Sequence, residues 1–126
     1  MKAFISAILV FLLVIGGILW YEYEITLQRD YIDDVVFQAE RAIFDRDLKE
    51  VKKCVEKLEK RWDKLQNTLM MFNDHKDINE MSQALTSFKA FSEYGDYMEM
   101  YRELENFKLL FDYSTKSSKP TLANIL

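Results

Sequence analysis

The chain has 126 residues, 17 of them basic and 21 acidic, for a net charge of −4, and a single cysteine. That length gives one modest core and not two domains, and the acidic balance argues against a nucleic-acid binder, which needs a basic stripe not offset by acids. One cysteine, Cys54, excludes an internal disulfide and a cysteine-based zinc site.

The first element is apolar. Ala3 to Trp20 carries no charge, and Trp20, Tyr21 and Tyr23 follow it. About 20 helical residues cross a hydrocarbon core of about 30 Å, and a Trp/Tyr cluster suits the headgroup level. Residues 1–23 are therefore expected to be a transmembrane anchor. Lys2 precedes the segment, whereas Glu22, Glu24, Asp30, Asp33 and Asp34 follow it with only Arg29 nearby. The positive-inside bias then places the N-terminus in the cytoplasm and the rest outside. A cleaved signal peptide is the competing reading, but the apolar run exceeds a usual signal core and ends on bulky Ile18-Leu19-Trp20-Tyr21 instead of small residues.

Glycine occurs only at 16, 17 and 95 and proline only at 120, so residues 18–94 lack strong breakers and read as helix. Ile25, Gln28, Ile32, Val35, Ala39 and Ala42 follow 3-4 spacing, which predicts a first bundle helix ending near Phe44, and nothing between Trp20 and Ile25 would stop the anchor helix from running into it. Asp47 is placed to cap the next helix. There Leu48, Val51, Val55, Leu58, Trp62, Leu65, Leu69 and Phe72 form an a/d seam over more than three heptads. Asn73-Asp74-His75 ends it, and Asp77 with Glu80 reads as a capping box for a third helix lined by Ile78, Met81, Leu85 and Phe88. After Tyr94-Gly95, Asp96 caps a fourth helix carrying Tyr97, Met100, Leu104, Phe107 and Phe111 on one face.

A shift of 49 residues carries Asp47 to Asp96, Val51 to Met100, Val55 to Leu104, Leu58 to Phe107 and Trp62 to Phe111, as two hairpins of similar design would. The fold class predicted is all-α: a transmembrane helix, then a small antiparallel bundle of about four helices in two hairpins over residues 24–113. Residues 114–126 read as a polar linker and a short apolar tail. Residues 46–64 are net basic and 93–112 net acidic, so those two helices are expected side by side.

Chemistry is sparse. His75 with Asp74, Asp77 and Glu80 is the one place where metal or acid-base work could start, yet the spacing matches no zinc motif and no second histidine exists. Capping explains those carboxylates. Trp62 on the seam reads as core, with a pocket built from Trp62, His75 and the Phe88, Phe91, Phe107 and Phe111 cluster as the alternative. Cys54, beside the seam, reads as a half-buried, inert thiol. The tail Leu122-Ala123-Asn124-Ile125-Leu126 is expected to fold back or to present a docking peptide.

Trp62, His75-Lys76-Asp77-Ile78 and the terminal Asn124-Ile125-Leu126 together resemble a family of short, N-terminally anchored bacterial proteins of Gram-positive, often spore-forming, anaerobes, a domain of unknown function. Asp77 stands where the family's His-x-Glu-Ile pattern has Glu, which keeps the capping chemistry. The resemblance covers nearly the whole chain and implies no activity; it favours a helical accessory protein over an enzyme. The expected function is a non-enzymatic interaction module, without cofactor or metal, held in the bilayer and binding another membrane protein or itself, with no evident small-molecule substrate and no nucleic acid. The candidate interaction residues are Trp62, His75, Asp77, Asn124, Ile125 and Leu126. Two alternatives are a ligand-sensing bundle and a coiled-coil assembly subunit pairing through the Leu48–Phe72 seam.

Overall fold

A helix continues until something stops its backbone, and from Lys2 to Phe44 nothing does. In the computed structural model, which describes residues 1–71 and 74–117, α1 runs unbroken over Lys2–Phe44. Its 43 residues span roughly 64 Å at 1.5 Å each. Three further helices follow among the described residues: α2 over Leu48–Met70, α3 over His75–Tyr94 and α4 over Tyr97–Ser117.

Short loops force consecutive helices to be antiparallel neighbours. Thus α1 packs on α2, α2 on α3, α3 on α4, and α4 closes the ring against α1. The bundle uses only the C-terminal half of α1. Up to Trp20 the helix projects with all its apolar side chains exposed but Ile15 and Ile18, which are half-buried, and the first buried residues are Tyr21 and Ile25.

The core is the sum of the four stripes. Val51, Val55, Leu58, Trp62, Leu65 and Leu69 are buried, so the α2 seam is consumed within its own bundle; Phe72 lies outside the described residues. Ile78, Met81, Leu85 and Phe88 meet it from α3, and Met100, Leu104, Phe107 and Phe111 from α4. Trp62 meets Phe107 edge-on at 5.5 Å, and Phe107 stacks on Phe111 at 5.8 Å.

The 49-residue echo extends into the loops. Asp47 and Asp96 each accept a hydrogen bond at 3.2 Å from the amide three residues on, Glu50 and Glu99. Just before each cap the chain turns left-handed, at Arg46 (φ 56°) and Gly95 (φ 74°). The amides of Asp47 and Asp96 then reach back to the carbonyls of Ala42 and Phe91. Both hairpins therefore close on the same six-residue C-cap, one with glycine in the left-handed position and one with arginine.

Four expectations need correction. The α3 cap is Asp74, whose carboxylate accepts from the Lys76 amide at 3.1 Å, and Asp77 lies inside the first turn. Starting the helix at His75 lets Ile78 reach the core, where it is fully buried. Second, α4 continues past Tyr113 to Ser117, because Ser114 and Thr115 are small enough to be enclosed; Thr115 Oγ1 satisfies itself on the Phe111 carbonyl at 2.9 Å. Third, the basic α2 and acidic α4 lie across the core from each other, since an up-down-up-down ring makes alternate helices diagonal. Their charges pair with α1 and α3 instead: Lys89 with Glu59 at 3.3 Å and Lys108 with Glu40 at 3.2 Å. Fourth, Cys54 is wholly buried, and burial pushes its thiol pKa up, which suppresses the reactive thiolate.

Candidate interaction surface

Trp62 is held as a core residue. Its indole Nε1 donates to Ser82 Oγ at 2.9 Å, and Ser82 Oγ donates on to Gln66 Oε1 at 3.3 Å, so the ring's one polar atom is satisfied between α2 and α3. Phe88, Phe107 and Phe111 are buried in the core, and the cleft of about 360 Å³ that reaches Trp62 is lined by Glu59, Asp63, Gln66, Ser82, Leu85 and Thr86, without His75 or those phenylalanines.

His75 is exposed at the start of α3 and Asp77 half-buried two residues on. Ser82, the partner of Trp62, lies two helical turns further along α3, so Trp62 and His75 are not brought together. No group of three or more histidine, cysteine or carboxylate side chains among the described residues is arranged to hold a metal. Asn124, Ile125 and Leu126 lie outside the described residues.

Large exposed apolar side chains also gather at the opposite end of the bundle, where α1 ends and α4 begins. An open groove of about 900 Å³ runs there between the two helices. Phe37 (57 % exposed), Phe44 (87 %), Met98 (85 %) and Tyr101 (50 %) line it, and Tyr97 forms part of the wall. Two arginines frame it: Arg41 lies over the Phe37 ring at 5.9 Å and Arg46 over Tyr97 at 5.5 Å. Tyr97 also donates through its hydroxyl to the Arg46 carbonyl at 3.0 Å, which fixes the loop against α4.

Below the groove, the α1/α4 seam carries crowded carboxylates. Burial, then repulsion from Glu40, raises the Glu105 pKa. Burial and the neighbouring Asp112 raise Asp33 in the same way. Lys108 bonds Glu40 at 3.2 Å, and that bond raises its own pKa. Nothing in this arrangement places a nucleophile beside a base. The surface is apolar at its tip and rich in carboxylates along its flank.

None of the residues of this groove is among the candidate interaction residues Trp62, His75, Asp77, Asn124, Ile125 and Leu126. Their signal was there: Phe37, Phe44, Met98 and Tyr101 are large apolar residues that fall off the core stripes of helices already accounted for.

The model of a domain of unknown function, DUF4363, matches residues 19–125, beginning where the projecting apolar segment ends. No curated protein and no solved structure matches the chain.

Proposed function

Because the chain belongs to the DUF4363 family, whose description assigns no activity, we propose its role from its own geometry: a non-enzymatic, membrane-anchored helical module that binds another protein at the membrane surface. One observation carries this reading. The segment of α1 with mean hydropathy 2.7 is unburied by the bundle, long enough to cross a bilayer, and continues without a break into a helix whose other half is core. A continuous helix transmits the anchor's position to the bundle, so the groove at the Phe44 end is held at a set distance from the bilayer. From Trp20 to Phe44 that distance is about 36 Å.

The charge balance around the anchor favours a cytoplasmic N-terminus and a bundle on the outer face. The buried Cys54 makes this testable with one added thiol. Lys57 is exposed, so a K57C chain in intact cells is expected to react with a membrane-impermeant maleimide while the parent chain does not. Labelling of K57C only after permeabilisation would reverse the orientation.

The groove also favours a second reading, capture of a small apolar ligand, because its volume and aromatic lining suit one. Such a ligand raises the melting temperature by mass action, and F44A/M98A abolishes that rise without lowering the unliganded value.

A further inference from the structure

The buried stripe of α1 faces its own bundle; the opposite face of the same helix carries a second one. Tyr23, Leu27, Asp30, Asp34, Phe37, Arg41 and Phe44 alternate by four and three, and all are exposed. A strict 3.5-residue repeat is the seam of a coiled coil, narrower than the face a helix uses against a globular core. Running the same spacing backwards reaches Trp20, Gly16, Leu13 and Leu9 in the projecting segment, so the seam is continuous with the anchor.

Its middle is charged. Among the described residues neither Asp30 nor Asp34 makes an ion pair; Asp34 accepts only from the Gln38 amide at 3.1 Å. Arg41 has the Phe37 ring but no carboxylate. This pattern decides what can lie on the seam. Two copies anchored by the same N-terminal segment stand parallel and at equal height, which sets Asp30 against Asp30, Asp34 against Asp34 and Arg41 against Arg41. Like charges facing across such a seam repel, and this opposes self-pairing.

We propose that the outer face of α1 docks the juxtamembrane helix of a different membrane protein. That helix carries apolar residues at the heights of Tyr23, Leu27, Phe37 and Phe44, basic residues opposite Asp30 and Asp34, and an acidic residue opposite Arg41. The inference rests on the anchored reading of α1 and names the chemistry of its partner.

The chain itself supplies a probe with that chemistry. The D30K/D34K/R41E variant keeps the apolar stripe and reverses its charges at three exposed positions. Full-length copies carrying donor and acceptor dyes are reconstituted into neutral phosphatidylcholine vesicles, and energy transfer is measured. Wild type alone and variant alone are expected to give background transfer. Their mixture is expected to pair at least about tenfold more tightly than either alone, and to weaken with salt. D30N/D34N/R41Q, which removes all three like-charge repulsions, is expected to pair with itself. Wild-type pairing as strong as the mixture would overturn the proposal in favour of a second copy. No pairing in the mixture or in D30N/D34N/R41Q would overturn it outright. Flotation of the vesicles separates the two claims: protein that fails to float strikes at the anchor, and protein that floats without pairing strikes at the seam.

Discussion

Glu105 illustrates how this surface constrains single residues. Its pKa is raised, first by burial and then by Glu40, so between its ordinary value and its folded value the native chain holds more protons than the unfolded one. Stability therefore rises as pH falls through the folded value, and the ionised carboxylate costs stability at neutral pH. E105Q is expected to raise the melting temperature by a few degrees near neutral pH. The gain should vanish below the ordinary carboxylate range, where both states of the parent are protonated; melts followed by circular dichroism at the two pH values check this. Gly95 makes a second residue-scale case. It sits at φ 74° and an added Cβ there would meet no atom within 4 Å, so alanine pays only for backbone conformation. G95A is expected to lose about 1 kcal/mol in denaturant titration, the left-handed cost reduced by the lower entropy of the unfolded chain.

Helix boundaries separate what was legible in the sequence from what was not. The stripes of α2 and α4 and the caps Asp47 and Asp96 could be read directly, because 3-4 periodicity and a carboxylate before it are local signals. The α3 start could not. Asp74 and Asp77 both satisfy the local rule, and the choice between them is made by Ile78, which must point inward. D74A is accordingly expected to cost about 1 kcal/mol and D77A clearly less, measured in the same denaturant titration. Ser114 and Thr115 misled for the same reason: their composition reads as linker, while their small size lets them pack. Trp62 was legible as core, but its bond to Ser82 was not, since twenty residues separate them. W62F keeps the ring contact with Phe107 and leaves Ser82 without its donor, and is expected to cost about 1–2 kcal/mol against about 3–5 kcal/mol for W62A.

At the scale of the whole molecule, the diagonal placement of α2 and α4 could not be read from charge. Charge segregation by helix suggests pairing, but ring topology is set by loop length, and short loops make neighbours of consecutive helices. The groove was missed for a related reason. Phe37 and Phe44 belong to a helix whose buried stripe was already assigned, and only the arrival of Met98 and Tyr101 from α4 turns them into one surface. What ties these features together is α1, half projecting and half core. The anchored-module reading and the docking seam both depend on the apolar half remaining attached.

The decisive measurement is the intact mass and membrane partitioning of the protein recovered from its native cells. An anchored module is expected in the membrane fraction, resisting alkaline extraction, with the Ala3–Trp20 segment still attached. A soluble chain shortened by about twenty residues, the length of a signal peptide, would contradict the account.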